Sequence, residues 1–157
     1  MKIYSIPGFG ECVIDNLFLD LNGTINFYGE LRADIKDYIR ELKKFFKIYI
    51  VSANTRGDLA KIAKELDVHF KQTQNNINEQ DAKMNILNEL RPENTIVIGN
   101  GNNDVKCLKN ARIGIAVIGR EGASTRAINA ADISITDISE GFRLILDENA
   151  IRATLRF

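Results

Sequence analysis

Four short stretches carry residues that chemistry could use, and they follow one another in order along the chain. "LFLDLNGTI", Leu17 to Ile25, ends an apolar run in Asp20 and enters Leu-Asn-Gly-Thr; "IVSANT" brings Ser52, "DAKMNIL" brings Lys83 and "IVIGNGNND" brings Asp104. Together they offer a carboxylate, a hydroxyl, an ammonium and a second carboxylate. A carboxylate at a strand end can attack phosphorus when a cation neutralises the approaching dianion. A hydroxyl and an ammonium can hold phosphoryl oxygens while Mg²⁺ bridges two carboxylates, so the set suffices for phosphoryl transfer by positioning and electrostatics. Taken singly, each residue has a plainer explanation. Asn-Gly is a strong tight-turn signal in which Asp20 and Thr24 make local hydrogen bonds. Asp104 can serve a helix N-terminus, and a lysine on a helix is usually solvated. Only the ordered set shifts the balance.

Such residues need elements to bring them together. "NLFLD" and "KIYIVSA" are nearly all apolar, as strands covered on both faces of a parallel sheet are. Between them Leu31, Ile35, Tyr38, Leu42 and Phe45 recur at steps of three and four, which predicts a crossover helix over 31–46. A second helix follows on Leu59, Ile62, Ala63 and Leu66, then a short strand "VHFKQ", a third helix on Ala82, Ile86, Leu87 and Leu90, and the strand "TIVIG". Beyond these lie a helix near 103–110, the strand "IGIAV", a short helix from Glu121, the strand "DISIT" and a last helix through "GFRLIL". "MKIYSI" and "ECVID" flank "PGFG" and read as an N-terminal hairpin at a sheet edge. The alternation predicts a doubly wound α/β fold with a mainly parallel sheet, whose ligands gather at the carboxyl ends of the strands. The polar run "KQTQNNINEQ" reads as a surface loop without function. His69, the one histidine, reads as a packing residue.

With 157 residues, 45% hydrophobic and 27% charged, the chain is expected to form one globular domain. Its 21 basic and 21 acidic residues balance, giving no footprint for nucleic acid or a membrane surface. Cys12 and Cys107 lack metal-ligand or redox spacing, and the start has no apolar core long enough for a signal peptide, so a cytoplasmic setting is expected.

The ordered set resembles the haloacid dehalogenase superfamily of phosphohydrolases and, within it, the phosphorylation domain of P-type ATPases. "DLNGT" looks like that family's first motif, with Asp20 as nucleophile; "IVSANT" with Ser52 is similar to the second, "DAKMNIL" with Lys83 to the third and "GNGNND" to the fourth. "CLKNARIGIAVIG" and "NAADISIT" continue the likeness, so it covers residues 17 to about 136. The resemblance implies a parallel α/β sheet, an aspartyl-phosphate at Asp20 and support of the nucleophile loop by Thr24. It also implies phosphate binding by Ser52 and Lys83, with Gly23 and Ala53 beside them, and Mg²⁺ held by Asp20, the backbone carbonyl of Asn22, Asn100 and Asp104. The gaps between motifs are too short for a nucleotide-binding insert or a cap domain, so an open site without a cap is expected.

Two positions depart from the family pattern. Asn22 stands where the phosphatases carry a second aspartate, the acid/base that protonates the leaving group and later activates water; an amide cannot relay that proton. Asn100 stands where an aspartate binds the metal, and it brings an oxygen without the charge. The expected activity is therefore slow, Mg²⁺-dependent hydrolysis of a small phosphorylated substrate or a phosphoprotein, best with good leaving groups. A phosphate-binding or regulatory module with little turnover is the alternative. The oligomeric state stays open.

Overall fold

A computed structural model describes all 157 residues. Its centre is a six-stranded sheet in the order β10-β9-β8-β3-β6-β7, with every neighbouring pair parallel. In chain order the elements are β1 Lys2–Ile6, β2 Gly10–Ile14, β3 Asn16–Asp20, β4 Asn26–Phe27, β5 Glu30–Leu31, α1 Ile35–Leu42 and β6 Lys47–Ser52. There follow α2 Leu59–Leu66, β7 His69–Gln72, α3 Glu79–Glu89, β8 Thr95–Gly99, α4 Val105–Asn110 and β9 Ile113–Val117. The chain continues as α5 Thr125–Ala130, β10 Ile133–Ile135, α6 Ile138–Leu146 and α7 Glu148–Leu155.

The apolar runs occupy the middle of this sheet because both of its faces are covered. Leu17 and Leu19 of β3 join one cluster with Ile96 and Ile98 of β8, Ile39 of α1 and Phe142 of α6. Phe18, between them, points the other way and packs with Val97, Leu87 of α3 and Leu108 of α4. The alternation is the period of two of a strand. Leu17, Phe18 and Leu19 have no exposed surface, and burying such a side chain contributes about 1.5 to 3 kcal/mol. Consequently β3 is fixed in the centre of the sheet, and Asp20 at its end is fixed with it.

Several sequence expectations need correction. The N-terminal hairpin pairs β1 with β2 as a separate two-stranded sheet instead of extending the main one. It docks through buried Tyr4, whose hydroxyl donates to the Ile145 carbonyl at 2.6 Å near the end of α6. The helix expected over 31–46 is confined to α1, because Leu31 pairs with Asn26 in the small β4/β5 hairpin and the chain turns after Leu42. That turn buries Phe46 and leaves Phe45 exposed, the reverse of the periodic reading. The helix expected from Glu121 begins at Thr125, capped by the Ser124 side chain. His69 is exposed on edge strand β7 and stacks on Tyr49 at 5.1 Å. Helix α7 was not foreseen. No inserted cap lies between β3 and β6 or between α3 and β8, and no helix is long and apolar enough to cross a membrane.

Candidate active site

Parallel pairing brings the ends of β3, β6 and β8 side by side, since Asp20 is in register with Val51 and Leu19 with Ile98. Three of the four stretches therefore meet at one edge of the sheet. The fourth arrives from behind: α3 packs on the sheet through Ala82, Ile86 and Leu87 and buries Lys83 completely.

Lys83 lies between the two carboxylates. Its Nζ donates to Asp20 Oδ1 at 2.6 Å and to Asp104 Oδ1 at 2.7 Å. The second oxygen of Asp20 accepts from Thr24 Oγ1 at 3.3 Å. The second oxygen of Asp104 accepts the backbone N–H groups of Asn100 and Gly101, both at 3.0 Å. Asp104 is thus engaged on both oxygens, serving Lys83 and the loop, where the resemblance implies a metal ligand. Gly99 is needed beside it, because a Cβ there would run into the Asp104 side chain.

Burial works against charge in Asp20 and Lys83, and the opposite charge each faces pulls the other way. Burial first, and the negative charge of Asp104 second, push the Asp20 carboxyl up to about 7 against the opposing pull of Lys83. Burial pulls the Lys83 ammonium down, but Asp104 and Asp20 outweigh it and hold the group above the ordinary lysine value. Lys83 is a fixed cation between the carboxylates of Asp20 and Asp104.

The loop after β3 is shaped by Gly23, whose φ of +79° is the left-handed region and whose missing Cβ makes room for the Asn100 side chain. That amide receives Thr24 Oγ1 at 3.5 Å and donates to the Gly122 carbonyl at 3.2 Å. Asn100 therefore ties three loops together. Asn22 Oδ1, by contrast, is buried without any hydrogen-bond partner, and so are Oδ1 of Asn26 and Oδ1 of Asp58. Ser52 is buried to 4% exposure; its Oγ accepts the Asn54 N–H at 3.0 Å, while the Asn54 side chain caps α2 by accepting from Leu59 N at 3.0 Å.

These residues surround a cavity of about 310 Å³ lined by Asp20, Asn22, Ser52, Ala53, Thr55, Glu79, Asn100, Gly101 and Asn103. A larger open depression of about 630 Å³ lies among Met1, Lys43, Lys47 and Arg91, and none of the expected site residues line it. Gly23, Thr24, Lys83 and Asp104 are not part of the smaller cavity's lining; Thr24 and Lys83 lie directly behind it, each hydrogen-bonded to Asp20. Glu79 was missed by sequence reasoning. It belongs to the polar run read as a functionless loop, and its one signal is its place four residues before Lys83 on the same helix.

A hard divalent cation requires oxygen donors. Asp20 and the amide oxygens of Asn22 and Asn100 form an oxygen-only set at the cavity, and the unpartnered Asn22 Oδ1 is the acceptor such an ion, or a water bound to it, would satisfy. The residues present therefore fit Mg²⁺ through one carboxylate and neutral oxygens.

A parallel α/β sheet with these four groups at its carboxyl edge defines a class of hydrolase, and the sequence match agrees. Residues 5–112 match the family model described as haloacid dehalogenase-like hydrolase, and the chain belongs to that family. Among relatives, an uncharacterised protein of Methanocaldococcus jannaschii is 50% identical over 82 residues, covering 50% of this chain and 88% of that protein. The soluble P-type ATPase-like phosphatase of the same organism is 28% identical over 145 residues, covering 89% of this chain; the match spans 53% of that relative's length. The Moraxella catarrhalis 3-deoxy-D-manno-octulosonate 8-phosphate phosphatase, solved with magnesium, phosphate and its sugar acid, shares the fold at a TM-score of 0.72 and 20% identity over 91% of this chain and 94% of that one. The catalytic domain of the CPx-ATPase CopB-B superposes with a TM-score of 0.61 at 28% identity, over 74% of this chain and 46% of that one.

Proposed function

We propose that the protein is a phosphohydrolase acting on a small phosphorylated substrate through an aspartyl-phosphate at Asp20. One observation carries the reading: a buried carboxylate at the end of the central strand is held by an ammonium, Lys83, that also grips the carboxylate of Asp104. Asp20 Oδ attacks phosphorus in line with the departing alcohol oxygen, and the aspartyl-phosphate is then hydrolysed. Lys83 and Ser52 bind the phosphoryl oxygens, with the backbone at Ala53 and Gly23 beside them. Thr24 fixes the Asp20 carboxylate, and Asp104 positions Lys83. Asp20, Asn22 and Asn100, backed by Asp104, would hold Mg²⁺, which would shield the phosphoryl charge.

With an amide at position 22, the leaving group departs without a proton from that side chain. Aryl and acyl phosphates, whose leaving groups need none, are therefore the best substrates. The amides at 22 and 100 also leave fewer negative charges facing an incoming phosphate, which favours a second reading, retention of a phospho-ligand with little turnover. The deciding assay is p-nitrophenyl phosphate hydrolysis with and without Mg²⁺, alongside Asp20→Asn. Turnover that depends on Asp20 supports the phosphohydrolase. Equal rates for the two proteins would sink it, and phosphate binding without turnover would leave the second reading.

A further inference from the structure

Of the carboxylates around the cavity, Asp20 is held by Lys83 and Thr24, and Asp104 behind the wall is held by Lys83 and two N–H groups. Glu79 differs: it lines the cavity with Asp20 and Asn22, is partly exposed, and its carboxylate makes no hydrogen bond or ion pair. It sits in the first turn of α3, one turn before Lys83, and residues four apart share a helix face. Lys83 on that face reaches Asp20 from behind the cavity wall, and Glu79, one turn earlier, lines the cavity itself. The turn is fixed by Asn78, whose side chain caps the helix by accepting from Gln80 N at 2.9 Å.

Building on the aspartyl-phosphate reading, we infer that Glu79 is a further catalytic residue, the general base for hydrolysis of the phosphoenzyme in place of the carboxylate missing at position 22. Glu79 takes a proton from the water whose oxygen attacks phosphorus. The bond between phosphorus and the Asp20 oxygen breaks, its electron pair returns to the carboxylate, and orthophosphate departs carrying the water oxygen. The proton then passes from Glu79 to bulk solvent, which its partial exposure permits. No co-reactant beyond water is required.

The first half-reaction with p-nitrophenyl phosphate needs no base, because p-nitrophenolate leaves as an anion. Glu79→Gln should therefore give a burst of p-nitrophenolate at the wild-type rate, followed by turnover slower by on the order of 10²-fold, as loss of general-base help costs. Acid-quenched protein should retain covalent phosphate, and Glu79→Asp should recover part of the turnover. Removing one negative charge should also lower the concentration of inorganic phosphate that half-inhibits the enzyme. A burst and a steady state slowed together would show a structural role and overturn the inference. So would unchanged turnover with unchanged phosphoenzyme, while leaving Asp20 as nucleophile intact. If the wild type formed no more phosphoenzyme than Asp20→Asn, the aspartyl-phosphate reading would fall, and the role of Glu79 with it.

Discussion

Two charge clusters in this protein use the same chemistry at opposite depths. At the sheet edge, Lys83 joins Asp20 and Asp104, with side chains exposed by 0% to 7%. Near the start of α1, Arg32 grips Asp34 through two nitrogens at 3.0 and 2.6 Å and Asp137 at 2.6 Å, with exposures of 29% and 41%. The outer cluster includes Ser139 and ties the end of the β4/β5 hairpin to the starts of α1 and α6. Its charged members are 29% to 41% exposed, so water competes with their ion pairs, which contribute little. The inner cluster has no such substitute. Each of its members was desolvated on folding and depends on the others, and by formal charge one Lys83 faces two carboxylates, leaving an excess negative charge inside the protein. Such an arrangement is a poor way to gain stability, and on the proposed reading its value lies in keeping the attacking carboxylate and a phosphate-binding cation at fixed positions.

The contrast can be broken most severely at Lys83. Lys83→Met should lower the unfolding free energy by about 3 to 5 kcal/mol, the usual consequence of leaving buried charge unpaired, and abolish turnover. Adding Asp20→Asn and Asp104→Asn should restore much of the stability, measured by denaturant unfolding, without activity. Full stability of the single variant would show that the inner cluster behaves like a surface pair. At the cavity, Asn22→Asp placed in a Glu79→Gln background should speed phosphoenzyme hydrolysis by about 10²-fold, the low end of general acid/base effects, and in the wild type by less, because Glu79 already supplies the base. Rapid-quench measurement of the phosphoenzyme decides it.

The smallest effect is expected in the outer cluster. Arg32→Met should change stability by no more than about 1 kcal/mol at neutral pH. Its acid behaviour is more informative. Burial tends to raise Asp34 and Asp137, but Arg32, with Ser139, wins and holds both carboxyls below the usual value. Groups depressed in this way stabilise the fold above the free aspartate value of about 3.9. That stabilisation is lost as the pH falls from there through the lower folded values. Thermal midpoints followed below pH 5 should therefore drop less steeply in Arg32→Met than in the wild type. Parallel curves would show that the cluster carries no linked stability.

Much of the architecture was legible in the chain. The apolar strands gave their own positions, because covering both sheet faces demands "NLFLD", "TIVIG" and "IGIAV", and the helix stripes at Leu59 to Leu66 and Ala82 to Leu90 matched their elements. Misreadings arose where tertiary contacts override local pattern. Leu31 fits a helical stripe yet pairs across a two-residue hairpin, Phe46 displaces Phe45 from the core, and His69 lies on edge strand β7, exposed beyond its stack on Tyr49.

By itself the sequence determined the type and order of the groups, a carboxylate, a hydroxyl, an ammonium and a carboxylate, and the parallel sheet whose carboxyl edge gathers them. Their partnerships were decided only in three dimensions. Asn22 and Asn100 are both amides in family positions, but one keeps an unpartnered oxygen and the other is tied to Thr24 and Gly122. Glu79 reaches the cavity because packing of α3 on Phe18 and Val97 rotates one helix face toward Asp20. The physical reason is that periodicity specifies which face of an element is buried, whereas hydrogen-bond partners and cavity walls depend on neighbours tens of residues away along the chain.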